Sequence, residues 1–273
     1  MARTTKKRQR ELKHDKFRDT TLGVADRLAH RYEGRGRTFL YAIGAAVALV
    51  ALILVFNWWS AHRADAARLA LGKAMEIAQA PVTTGTPMPG ETGPTFPSER
   101  ERAQKAVEEF EKVRRDYGSP YSDIARHFAA VNMLTVERDR GLKELEELSR
   151  SGDSDIAARS KFALAQAREA DAQYDAAASL YQELLKQKDG PVSPNTLNLR
   201  LAAVHEKQGK KDEAINLLFQ LVESARKAQG KDGKPAPESA VVRAAADKLQ
   251  ELSPERYSQL PAQPAPARGG LGF

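Results

Sequence analysis

Cysteine is absent from all 273 residues. Without a thiol there is no disulfide scaffold, no zinc ribbon, no Cys nucleophile and no lipid-modified Cys anchor. Five histidines are present, His14, His30, His62, His127 and His205, and none lies within four residues of another, so no local His metal motif exists. Aromatic residues make up only 7%. A core drawn from this composition is built mainly of Ala and Leu, which favours closely packed helices over a β-sandwich. Alternating runs of β-branched residues are nearly absent as well. Also missing are Gly-x-Gly-x-x-Gly, a phosphate-binding P-loop, His-Glu-x-x-His and Gly-x-Ser-x-Gly. Gly230-Lys231-Asp232-Gly233-Lys234 lacks the glycine spacing and the Ser/Thr of a phosphate loop. Acidic pairs such as Glu108-Glu109 and Glu146-Glu147 lie beside Lys or Arg on helical faces, a pattern of solvated surface and not of a catalytic dyad. The expectation is a chain with no catalytic residues, no cofactor and no metal, acting by binding.

What the sequence does have begins with charge. Residues 1–37 hold twelve Lys or Arg against five Asp or Glu, which leaves 31 of each sign for the remainder. The entire net charge of +7 therefore belongs to one basic tail, and the main body is electrically balanced. That distribution does not support a broad basic surface gripping a specific nucleic acid. Within the tail, Leu22, Ala25, Leu28, Ala29 and Tyr32 share one helical face, the pattern of a short amphipathic helix on an anionic membrane surface. The cluster Lys6-Lys7-Arg8-Gln9-Arg10 would also suit contact with ribosomal RNA.

Phe39–Phe56 runs FLYAIGAAVALVALILVF with no charge, and the segment stays uncharged to Ser60. As a helix, residues 39–59 reach about 31 Å, the thickness of a bilayer core. Arg37 and Arg63 bracket the stretch, and Trp58 and Trp59 suit one membrane interface. Ala64-Asp65-Ala66 has the small-x-small form of a signal-peptide cleavage site, but the apolar run and the tail before it are longer than a signal peptide needs. The favoured expectation is an uncleaved transmembrane helix over 38–60, in contact with membrane lipid. Only Arg63, Arg68 and Lys73 are basic in the twenty residues after Ser60. The positive-inside rule then keeps residues 1–37 cytoplasmic and carries the rest across, into the periplasm of a bacterium.

Beyond the span the pattern is helical, broken by residues 81–98 with five Pro and three Gly, and ending in a Pro- and Gly-rich tail. Ser98 with Glu101 reads as a capping box, and Ser119-Pro120, Ser193-Pro194 and Ser253-Pro254 each read as a capping Ser before Pro. The informative feature is a repeat. Ala106, Gly141, Ala177 and Ala214 recur at steps of 35 to 37 residues. Four residues on stand Phe110, Leu145, Tyr181 and Leu218, and seven on stand Val113, Leu148, Leu184 and Leu221. Twelve residues before the last three small positions come Ala129, Ala165 and Ala202, each after a bulky apolar residue. Each unit is thus a helix pair whose small residues let two backbones approach, and such pairs must stack to bury their apolar faces.

The pattern resembles the tetratricopeptide repeat. Residues 158–191 and 195–228 fit best, 122–155 are degenerate with Gly141 where Ala is usual, and the first unit is split by the Pro/Gly insert between 61–80 and 99–117. The expected fold class is all-α: a single N-terminal transmembrane helix followed by an α-solenoid of tetratricopeptide-like hairpins over 61–252, with a final capping helix near 236–252, then a short helix and disordered tail over 253–273. In stacked hairpins the first helices line an inner face, and the register places Asp123, Arg126, Arg159, Phe162, Gln166, Glu169, Leu199 and Glu206 there for partner binding. The layout of basic tail, span ending in Trp-Trp, Ala-rich juxtamembrane helix and degenerate repeats resembles the YfgM-like ancillary SecYEG translocon subunit family of bacterial inner-membrane proteins. The resemblance implies a non-enzymatic adaptor that meets translocon subunits, secretory proteins or periplasmic chaperones. The longer basic tail and the insert depart from that family. An envelope-assembly or cell-division scaffold with a periplasmic repeat domain is the alternative the sequence leaves open.

Overall fold

In the computed structural model, the described residues are 36–83, 93–187, 189–228 and 236–263. The short basic cluster, the expected amphipathic helix, the middle half of the insert, the Gly230–Lys234 loop and the last ten residues lie outside them. The chain divides into two units, Met1–Asp65 and Ala66–Phe273.

In the first unit, the described residues belong to helix α1, Gly36–Ala78, which also supplies the start of the second unit. Its apolar part is long enough to cross a membrane. Large apolar side chains stand open to the surroundings all round it, among them Val47, Leu52, Ile53 and Phe56. Over residues 41–60 this helix has no buried face in its own chain. At its polar end the Trp58 ring stacks on His62 at 6.0 Å, and Arg63 lies over the Trp59 ring at 5.0 Å. Aromatic rings joined to cationic or polar neighbours one turn on match the chemistry of a headgroup region.

The regular elements of the second unit, among the described residues, are helices stacked one on the next. After the end of α1 come α2 (Glu99–Asp116), α3 (Tyr121–Val136), α4 (Arg138–Leu148), α5 (Ser154–Ala170), α6 (Tyr174–Leu185), α7 (Pro194–Lys207), α8 (Lys211–Lys227), α9 (Ala240–Leu252) and the short α10 (Pro254–Ser258). Consecutive helices from α2 to α9 pack as neighbours, and α3 also meets α5. The repeat register is the core: Ala106, Gly141, Ala177 and Ala214 are all buried, as are Phe110, Leu145, Tyr181 and Leu218 and the third row from Val113 to Leu221. Four apolar clusters follow one another along the chain. Ala74 and Ile77 of α1 join Phe110 and Met133, Leu145 joins Ile156 and Leu164, Tyr181 joins Leu197 and Leu201, and Leu218 joins Val242 and Leu249. The last of these shows α9 closing the end of the stack.

Local chemistry sets the boundaries. Ser98, Ser193, Ser239 and Ser253 each accept a backbone N–H from the first turn of the helix they precede. The Glu101 carboxylate accepts from the Ser98 hydroxyl at 3.1 Å, so the expected capping box forms in altered form. Ser119 does not cap. The Ser119–Pro120 peptide is cis, Pro120 occupies the cap position, and no side chain bonds the first turn of α3. The insert is also more ordered at its ends than its composition implies. Thr83 N–H donates to the Phe96 carbonyl at 2.9 Å, Phe96 N–H to that of Pro81 at 3.1 Å, and the Phe96 ring packs on the first core cluster. At the other end of the domain, residues following α9 are not wholly a free tail. Arg226 and Glu238 form a buried ion pair at 2.7 Å, Arg226 also donates to the Pro261 carbonyl at 2.8 Å, and Gln263 donates to Glu238. Tyr257 and Leu260 pack on the last core cluster.

Two positions give direct tests of this packing. A Cβ on Gly141 would sit 2.8 Å from the Leu134 amide nitrogen and 3.0 Å from the Ala130 carbonyl oxygen, both backbone atoms. Gly141→Ala gains about 1 kcal/mol of helix propensity but forces α3 and α4 apart, at about 1–3 kcal/mol. Lowered thermal stability of the variant is the expected result. Conversely, the α5–α6 turn places Ala172 at φ 58°, where the α7–α8 turn has Gly209 at φ 77°. Ala172→Gly relieves that left-handed strain and is expected to stabilise by about 0.5–1 kcal/mol, read from the same melts.

Candidate functional site

First helices of the repeats supply the candidate binding surface, and a cleft of about 290 Å³ lies between two of them. Its wall from α3 is Ile124, His127 and Phe128, with Pro120 at the helix entry; its wall from α5 is Ile156 and Arg159, with Asp153 and Asp155 at the rim. Three local causes build it. Pro120 starts α3 without a capping side chain in the way. Asp153 caps α5 by accepting the N–H groups of Asp155 (2.9 Å) and Ile156 (3.1 Å), which fixes where that helix begins. Phe128 is drawn to one side by stacking on Phe110 at 5.6 Å.

His127 forms the polar floor. It is 7% exposed, and its Nδ1 shares a 2.8 Å hydrogen bond with the hydroxyl of Ser160, itself fully buried. Burial, assisted by the Arg159 guanidinium, pushes the imidazole down to about 4, so it is neutral at ordinary pH. Arg159 is half-exposed and 3.6 Å from Asp155. The arrangement holds a neutral apolar chamber under a charged rim. The Ser160 hydroxyl that pairs with His127 is itself fully buried, and no group of His, Asp and Glu suited to a metal occurs among the described residues.

Of the eight expected partner-binding residues, Arg159 alone lines this cleft. Asp123 is half-buried and accepts from the Ser122 hydroxyl at 3.4 Å. Arg126 is taken up by Glu144 (2.8 Å) and Glu147 (2.7 Å) on α4, and its guanidinium is held more basic by them despite partial burial. Phe162 packs on Tyr181 at 5.9 Å. Glu169 accepts from the Tyr181 hydroxyl at 2.9 Å, and burial, then that carboxylate, push the phenol up. Leu199 packs on the last cluster, Glu206 pairs with Lys248 of α9 at 3.0 Å, and Gln166 is half-buried. These side chains lie on the first helices, as the register requires, but most fasten one helix to the next. His205 is likewise buried, bonded to Gln208 at 2.9 Å. Trp58, Trp59 and Arg63 cluster as described above, while the side chain of Arg37 lies outside the described residues. The residues missed by spacing alone were Ile124, Phe128 and Ile156. Their signal was Ile124 and Phe128 one turn apart behind a Pro, facing a helix opened by two aspartates.

With this geometry in view, known proteins offer three observations. The tetratricopeptide repeat family model matches residues 162–192 and 196–232. The chain carries tetratricopeptide-like repeats. The matched segments are the hairpins α5–α6 and α7–α8, about a quarter of the sequence. No curated protein matches the chain. A solved structure of nearly identical TPR-like repeats, from a Podosopora anserina protein designated a kinesin light chain, is 20% identical with a TM-score of 0.44, over 56% of this chain and 78% of that one. Repeats of this kind typically form non-catalytic protein-interaction scaffolds.

The His127 site yields a pH test. Its folded pKa lies below the unfolded value of 6.5, so the unfolded chain binds the proton more tightly. The contribution is complete above pH 6.5, is lost as pH falls towards 4, and is constant below that, in total on the order of 3 kcal/mol. His127→Gln keeps a polar partner for Ser160 without the titration. Melts of the full chain at pH 7, 5 and 4 are expected to fall less steeply for the variant than for the wild type.

Proposed function

We propose that this chain is a non-enzymatic, single-pass membrane adaptor, anchored by residues 38–60 and presenting its repeats to protein partners. The observation that carries the reading is the uncharged stretch of α1 over residues 39–60, of bilayer length and exposed all round where its side chains are described, in the same chain as a balanced, mixed-charge scaffold of interaction repeats. Burying that apolar surface in lipid removes from water side chains each worth about 1.5–3 kcal/mol. The basic tail supports a cytoplasmic N-terminus, and the repeats then stand in the periplasm at the bacterial inner membrane. The resemblance in layout to ancillary translocon subunits supports secretory proteins, periplasmic chaperones or the Sec translocon itself as partners.

The test is made in intact bacteria. A photocrosslinking amino acid is placed at Arg159 or Gln166, and captured partners are identified by mass spectrometry, with external protease on spheroplasts as a topology control. Expected are cleavage of the repeats from outside and crosslinks to translocon subunits, secretory proteins or chaperones. Repeats shielded in spheroplasts but digested in inverted vesicles contradict the orientation. Crosslinks confined to wall-synthesis or division proteins contradict the Sec assignment.

A further inference from the structure

The α3–α5 cleft has a size, a lining and a charge that together define what it accepts. At about 290 Å³ it lies at the lower end of the range for ligand sites, roughly 300–1,000 Å³, with room for one large side chain. Its interior is Ile124, Phe128 and Ile156 over a neutral His127, so it offers contact to carbon and almost no hydrogen bonding. Its rim carries two carboxylates, Asp153 and Asp155, against the single guanidinium of Arg159, which already lies 3.6 Å from Asp155. An unbalanced negative rim over an apolar chamber complements an apolar group with a cation beside it, and repels an anion.

The geometry points to a peptide-anchor pocket between α3 and α5 that takes one Leu- or Phe-sized side chain of an extended polypeptide with Lys or Arg adjacent to it. This deepens the adaptor reading and rests on it, by naming the chemistry of the segment bound. The apolar side chain fills the chamber and supplies most of the affinity. The neighbouring cation meets Asp155 and Asp153 at the rim, where solvent and salt weaken the attraction. Peptides with Glu in that place meet the same carboxylates and are disfavoured. An anionic phospholipid fits the chamber through its acyl chain but is opposed by the rim.

The experiment uses the full chain in phosphatidylcholine nanodiscs and fluorescein-labelled nonapeptides read by anisotropy, with empty nanodiscs as control. Three peptides differ at the centre: Leu-Lys, Leu-Glu and Ala-Lys. Leu-Lys is expected to bind, Ala-Lys about tenfold more weakly from lost apolar burial, and Leu-Glu several-fold more weakly, the latter gap shrinking in high salt. Ile124→Trp fills the chamber and is expected to abolish the Leu-over-Ala preference. Asp155→Lys, on an exposed position, is expected to reverse the Lys-over-Glu preference while the chain stays folded, its melt lowered only slightly by the lost Arg159 pair and the cation in the first turn. That second variant keeps the test decisive where the bulky first one loosens the helices. Equal binding of the three peptides, no binding of any, or preferences unmoved by Asp155→Lys overturn the pocket. Displacement of Leu-Lys by phosphatidylglycerol vesicles and not by unlabelled Leu-Lys does so too, in favour of a lipid. Crosslinks from the repeats to protein partners, alongside a failed peptide assay, sink the pocket and leave the adaptor reading standing.

Discussion

The repeat domain depends on close approach between paired helices at a single small residue per unit. Where Ala106, Gly141, Ala177 and Ala214 stand, anything larger would hold the helices apart, and the bulky residues four and seven positions on would lose the partners that cover them. Gly141 is the extreme case, since the α3 backbone occupies the place of its missing methyl group. The same residue that makes this unit look degenerate is therefore what its tighter hairpin requires. Each hairpin alone leaves one apolar face uncovered, so stability is shared between neighbours, and α9 with the Arg226–Glu238 pair seals the end.

That dependence explains how much of the fold was legible. Periodicity reports burial on a helix face, and the small, bulky and aliphatic rows predicted from spacing are all buried. Caps were readable wherever Ser was free to reach the first turn, at Ser98, Ser193 and Ser253. They failed at Ser119, because Pro120 itself takes the cap position and no side chain bonds the first turn. The ends of the insert and residues 259–263 read as loop because their composition favours no regular element. What orders them is a few long-range contacts, at Phe96, Arg226 and Glu238, which local pattern does not encode.

The binding surface was less legible than the fold. A register names the helix face but not what a long charged side chain does there. Arg126, Glu169 and Glu206 occupy the expected positions and spend their charge on Glu144, Tyr181 and Lys248. The cleft arises elsewhere, from a mismatch between neighbouring first helices: α3 starts late behind Pro120 and α5 starts where Asp153 caps it, which leaves the chamber between Phe128 and Ile156. A scaffold of this kind separates its tasks. Small residues set the spacing and ion pairs lock adjacent helices, and the gap that the repeat does not fill is where we propose that binding occurs.

Amide hydrogen exchange on the full chain tests the central claim most directly when a bulky residue replaces one small one. In Ala177→Leu, protection is expected to fall in α6 and then in its neighbours α5 and α7, while α2 and α3 retain wild-type rates. A uniform loss of protection across all helices, or none in α6, would contradict a stack held together by nearest-neighbour contact at its small residues.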